Sequence, residues 1–209
     1  MTNLPTGRRW SALGLAAGPV AFVSVWAVGG SRTPGYSPVH DAISGIAAVG
    51  APERGLMTAG FVAYGAAVLA GTPALRRSVV GRAWPAVVVN GLATWGVAAL
   101  PLDVSQAGDL AHGVAATIGY VSLAAAPALA AGPLARAGHH GAARASVAAA
   151  VAIGAFLVLT TVADAKGLTQ RTGLGIGDLW LVATGVALAI GRPQLSGEPS
   201  PAPIDPGRA

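Results

Sequence analysis

Six apolar runs, each about as long as a helix must be to cross a bilayer, take up most of this chain and leave only short polar connections between them. They fall at 10–29, 55–72, 83–102, 111–132, 145–163 and 169–190. A helix rises ~1.5 Å per residue, so ~20 residues cover a hydrocarbon core of ~30 Å. The runs are continuously apolar, whereas a transmembrane β-barrel needs roughly ten-residue strands of alternating polarity. Composition agrees: 10% of the residues are charged, against roughly 25% in soluble domains, and the mean hydropathy is +0.61. The expected fold is an all-α membrane protein, a bundle of six transmembrane helices over 10–192. A short cytoplasmic N-terminus, 1–9, precedes it. A Pro-rich polar tail, 193–209, follows and is expected to be disordered.

Orientation follows from the basic residues. An even number of spans puts both termini on one side of a plasma membrane. Arg8, Arg9, Arg76, Arg77, Arg82, Arg136, Arg144, Arg192 and Arg208, nine in all, fall on that side, and Arg32, Arg54, Lys166 and Arg171, four in all, on the other. The excess predicts that both termini are cytoplasmic. Arg8 and Arg9 before an apolar run imitate a signal peptide, but the run is long enough to cross and five more follow, so an uncleaved first helix is expected. The acids are more one-sided. Asp41, Glu53, Asp103, Asp109, Asp164 and Asp178 all fall on the outer side, and only Glu198 and Asp205 in the tail are inside. Carboxylates set orientation weakly, so their gathering needs another cause.

Several functions are excluded early. There is no cysteine, hence no disulfide, thiolate metal site or cysteine nucleophile. The pI of about 10.7 could suggest nucleic acid, but the basic residues are spread over short loops rather than gathered in one patch. His139 and His140 sit in the loop RAGHHGAAR and read as a solvated basic turn. Within the spans, Ala and Gly dominate, as suits close helix packing in lipid. Gly173 and Gly177 form a small-xxx-small pair; His112, Ala116 and Tyr120 share one helix face; Pro127 interrupts the fourth span. Asn90 and Thr94, one turn apart, predict an interhelical hydrogen bond.

The outer polar residues are where chemistry is expected. In GYSPVHDAISG, residues 35–45, Ser37 and Pro38 suit an N-cap and first helical position. A short helix from Val39 to Ile46 would make His40 and Ser44 i, i+4 neighbours. Glu53 and Asp109 stand at helix starts, where a carboxylate is favoured; Asp103 and Asp164 stand at C-terminal ends, where it is not, and so call for partners. Lys166 is the expected partner of Asp164, and His112 or Arg171 that of Asp103. Asp178 is the most informative residue. A helix starting there would be too short to cross, so it starts near Thr169 and buries Asp178, with Arg171 on the same face. An ionisable group at that depth belongs in the bundle interior or a wet cavity. The candidate ligand-binding residues are His40, Asp41, Ser44, Asp103, His112, Arg171 and Asp178, with Asp178, Asp103 and His112 as the acid–base candidates. No HExxH or HxxxH spacing and no GxSxG elbow is present, so neither a metal nor another cofactor is expected.

These stretches resemble a known family. GYSPVHDAISGIAAVGAP after the first span, PLD followed by AHG before the fourth, and GLTQR leading to Trp180-Leu181 are similar to the DUF998 family of bacterial six-helix membrane proteins, over nearly the whole chain to about Arg192. The most specific part is Tyr36, Ser37, Pro38, Ile43 and Ser44. By resemblance, Asp103, His112, Gly113, Gln170 and Arg171 also occupy family-typical positions. Where members often carry a second His four residues after His112, this chain has Ala116, and Asp178 is not a family-typical position. The resemblance implies the fold and an outer-face site but no reaction.

Three functions fit these features. The first is binding of a lipid or small amphiphile in an outward-facing polar cavity, with Arg171 and Asp178 on the head group. The second is an intramembrane hydrolase, isomerase or cyclase. The third is a structural or regulatory partner of another membrane protein. A channel or pump fits less well, because the inner halves of the spans lack ionisable residues.

Overall fold

A computed structural model describes residues 6–191 of the chain. Residues 1–5 and the tail, with Arg192, Glu198, Asp205 and Arg208, lie outside the described residues. Among the described residues there are six α-helices: α1 Thr6–Arg32, α2 Arg54–Arg76, α3 Trp84–Ala99, α4 Gln106–Arg136, α5 His140–Val162 and α6 Lys166–Ala189. Each packs against the next, and α6 returns against α1, so the helices close a ring. Neighbours run antiparallel. The start of α1 therefore meets the end of α6, where Gly185 faces Ala12 and Leu15.

Five of the helices, all but α3, are long and apolar enough to cross a membrane. The chain thus has the helices of a multi-pass membrane protein. The third differs from the expected 83–102: α3 has 16 residues, about 24 Å at ~1.5 Å each. Two prolines set its limits. Pro85 lies in its first turn, and Pro101 excludes the preceding Leu100 from helical geometry, which sits at φ −117, ψ 72. A 3-10 turn, Gly81–Ala83, leads into it. At the other extreme α4 spans 31 residues, passing through Pro127, with Ser105 capping it by accepting from the Gly108 N–H at 3.1 Å. The chain reverses between α4 and α5 at Gly138, φ 82, where the His139 N–H reaches back to the Leu134 carbonyl at 2.9 Å.

Close backbone approach holds the ring. A Cβ on Gly177 would stand 2.5 Å from the Leu123 side chain of α4, and one on Gly173 would stand 2.9 Å from Phe156 of α5. Leu15, Met57, Val68, Leu75, Leu123 and Leu181 are fully buried between the helices. Phe22 stacks near Phe61 and Tyr64 with ring centroids 5.6 and 5.4 Å apart. The opposite surfaces are apolar too: Val151, Val158 and Val162 of α5 are exposed, as a lipid-facing helix requires.

Candidate functional site

The segment 33–53 folds back over one end of the ring. Ser37 and Asp41 close its first turn reciprocally. The Ser37 N–H donates to Asp41 Oδ2 at 2.7 Å, and the Asp41 N–H to the Ser37 carbonyl at 2.7 Å. Ser37 Oγ also accepts from the His40 N–H at 3.3 Å. The cap expected at Ser37 therefore exists, but it closes one turn, not a helix to Ile46. The chain becomes extended at Ala42 (φ −65, ψ 148) and then forms a separate 3-10 turn, Ile43–Ala47. This break lets Ile43, Ile46 and Ala47 all point into the bundle and become buried, so apolar burial outweighs local helix propensity. His40 and Ser44 consequently lie in different turns rather than one helix turn apart.

Arg171, near the start of α6, fastens this lid. Nη1 donates to the carbonyls of Pro38 at 2.8 Å, Asp41 at 2.9 Å and Gly167 at 2.9 Å. Nη2 donates to the Tyr36 hydroxyl. The guanidinium also lies 5.1 Å from the Trp26 ring centroid and 5.4 Å from that of Tyr36, a cation–π arrangement. Burial pushes the Tyr36 phenol above its ordinary value, against the opposing pull of Arg171. Further bonds join lid and α6. The Leu168 N–H donates to the Val39 carbonyl at 2.9 Å, and the Ile43 N–H to Gln170 Oε1 at 2.7 Å. His40 Nδ1 stands 3.2 Å from the Asp164 carbonyl. Gly167 permits the contact, because a Cβ there would collide with the Asp41 and Pro38 carbonyls.

Beneath the lid lies a cavity of about 70 Å³. Ile43 and Ser44 of the lid line it, with Phe22, Phe61, Val97 and Leu174 among its apolar walls. Its polar lining comes from Tyr64, Asn90, Thr94, His112, Tyr120, Gln170 and Asp178. Tyr64 donates to Asn90 Oδ1 at 2.8 Å, and Asn90 Nδ2 donates to the Gly119 carbonyl at 2.9 Å. The interhelical bond expected of Asn90 is thus made, whereas Thr94 bonds only the Asn90 carbonyl of its own helix, at 2.9 Å. Asp178 is 5% exposed and lines the same cavity as Tyr64. Since α6 begins at Lys166, it lies about 18 Å down the helix, deeper than a start near Thr169 implies.

His112 is the unusual member. It is 5% exposed, and its Nδ1 lies 2.6 Å from the Leu100 carbonyl. That carbonyl only accepts, so Nδ1 carries the proton, and in the neutral ring Nε2 is an acceptor. Nε2 is buried with no hydrogen-bond partner. Buried polar atoms rarely stay unpaired, because each costs about 1–3 kcal/mol. Arg171 Nε is likewise buried without a partner.

The candidate residues therefore separate into groups. Ser44, His112 and Asp178 meet on one cavity. Arg171 stands above it, with its Nη donors engaged by the lid. His40 and Asp41 build the lid itself. Asp103 is exposed at φ 66, its N–H bonded to Asp109 Oδ1 at 2.9 Å, and it meets neither His112 nor Arg171. Asp164 contributes its carbonyl to His40, and no ion pair joins its carboxylate to Lys166 among the described residues. No group of three or more His, Asp or Glu placed to hold a metal occurs among them either. Tyr64 was not anticipated for this cavity; a tyrosine in an otherwise apolar run was the signal, since its hydroxyl needs a partner in lipid.

The family model described as "Protein of unknown function (DUF998)" matches residues 16–187, most of the chain and all of this site. No curated protein and no solved structure matches the chain.

Proposed function

The chain belongs to the DUF998 family, and we propose that it is a six-span plasma-membrane protein that binds a lipid or small amphiphile by its polar head in the lidded cavity. In this reading α3, lengthened by its 3-10 turn, is the sixth span, both termini are cytoplasmic, and the lid faces outward. The observation that carries the reading is His112 Nε2, a buried ring nitrogen without a partner, and an acceptor in the neutral ring, on the wall shared with Asp178. An acceptor and a carboxyl group among hydroxyls suit a head bearing hydroxyl or amine donors. An apolar cavity of about 150 Å³ holds benzene, so about 70 Å³ admits only a few heavy atoms until the lid moves. In this reading Arg171, whose Nη donors meet the lid at Pro38, Asp41 and Tyr36, holds the lid rather than the head group.

Native mass spectrometry of the detergent-purified protein tests this. Wild type is expected to carry a small-molecule adduct that His112→Ala and Asp178→Asn both lose while eluting as folded protein. A bare wild-type mass, or an adduct retained by both variants, would refute the proposal.

A second reading rests on the same wall. His112 and Asp178 are an acceptor and a carboxyl group of the kind that moves protons in acid–base catalysis. For an enzyme, Asp178→Asn would keep or accumulate the adduct as unreacted substrate instead of losing it.

A further inference from the structure

At the end of the bundle opposite the lid, a surface groove of about 760 Å³ runs between the last turns of α4 and the first turns of α5. Small apolar residues, including Ala131, Ala135, Ala143, Val147 and Val151, line its length. His140 and Arg144 stand at its charged end. Arg136 joins them: a Cβ on Gly132, a groove residue, would lie 3.4 Å from Arg136 Nη1. Arg136 and Arg144 are both exposed, and neither has a hydrogen-bond or ion-pair partner among the described residues. No carboxylate among the described residues offsets them. Asp41, Glu53, Asp103, Asp109 and Asp164 lie at the lid end, and Asp178 lies within the bundle.

We propose that this groove holds one anionic phospholipid, its phosphate between Arg136 and Arg144 and an acyl chain along the Ala/Val wall. Two guanidinium groups match phosphate oxygens with directed donors. Basic pockets between helices at a membrane surface are suited to anionic head groups. The apolar length beyond the charges favours a lipid over free phosphate, which would leave that wall uncovered. A second copy docking here through the same face would bring the same positive charges together. The site is separate from the lidded cavity and does not depend on its occupant.

The test is native mass spectrometry of the full chain titrated with phosphatidylglycerol or with phosphatidylcholine of the same acyl chains. One phosphatidylglycerol should be retained under conditions that strip phosphatidylcholine. The double variant Arg136→Gln/Arg144→Gln should weaken its binding by roughly thirtyfold, on the usual attraction per basic residue. Ala148→Phe, which fills the groove and leaves the charges, should also lose the lipid. Arg77→Gln/Arg82→Gln removes equal charge from the other loop at this end and should leave binding nearly unchanged. Equal retention of both lipids, or indifference to the Arg136/Arg144 change, would overturn the proposal. So would binding that survives Ala148→Phe, which points to a head-group contact alone, or equal loss in Arg77→Gln/Arg82→Gln, which points to general charge attraction.

Discussion

The Tyr64 hydroxyl donates to Asn90 Oδ1 at 2.8 Å, and the same amide reaches the Gly119 carbonyl at 2.9 Å. One side chain therefore joins α2, α3 and α4 beside the cavity. Interhelical hydrogen bonds in membrane proteins contribute modestly, with average coupling of about 0.6 kcal/mol. A double-mutant cycle of Tyr64→Phe and Asn90→Ala, read by thermal or denaturant unfolding in detergent, should give a coupling of about that size. A coupling indistinguishable from zero would mean that the pair is not formed in the folded protein.

Arg171 meets three carbonyls and a phenol at once, which a planar fork can do and a single ammonium cannot. Arg171→Lys should therefore behave like Arg171→Gln rather than like wild type. Hydrogen exchange over 36–44 should accelerate in both variants, while the core of α2 stays protected. A Lys variant as protected as wild type would show that charge alone holds the lid.

Two glycines of α6 offer a contrast. At Gly167 an added Cβ meets the lid carbonyls, and at Gly175 it meets nothing within 4 Å. Gly167→Ala should destabilise by about 1–3 kcal/mol through overpacking, whereas Gly175→Ala should be neutral or gain up to about 1 kcal/mol from lower chain entropy. Equal melting temperatures for the two variants would argue against the close seating of lid on helix.

Asp103 sits at φ 66, where a Cβ is strained and Asp is tolerated better than branched residues. Asp103→Gly should keep or slightly raise stability, and Asp103→Val should lower it by about 1–2 kcal/mol. Neither should alter the adduct expected in the cavity. If Asp103→Gly removed that adduct, Asp103 would have to be returned to the binding site.

What the sequence revealed, and where it stopped, follows from range. Apolar runs report helices directly, because lipid leaves the backbone few other solutions. They did not report the short α3, whose limits come from Pro85 and Pro101 rather than from hydropathy. His112, Ala116 and Tyr120 shared a face by periodicity alone, and all three line the cavity. The depth of Asp178 was legible because α6 could not otherwise span. The role of Arg171 was not, since its partners are backbone carbonyls 130 and 133 residues away, and carbonyls carry no sequence signature. The same limit misplaced Asp103: an unfavourable helix end suggested a partner, while a positive φ and exposure resolved the position instead.

The most direct test of an outward-opening, lidded cavity uses the absence of native cysteine. Ser44→Cys places a single thiol on the cavity wall within the lid, and His140→Cys places one on the exposed opposite end. A membrane-impermeant thiol reagent would be added to intact cells. Ser44→Cys should react slowly alone and much faster when combined with Arg171→Gln, and His140→Cys should react only after permeabilisation. Labelling of His140→Cys but not Ser44→Cys in intact cells would invert the orientation, and a Ser44→Cys thiol that stays inert even with Arg171→Gln would contradict a cavity that opens beneath the lid.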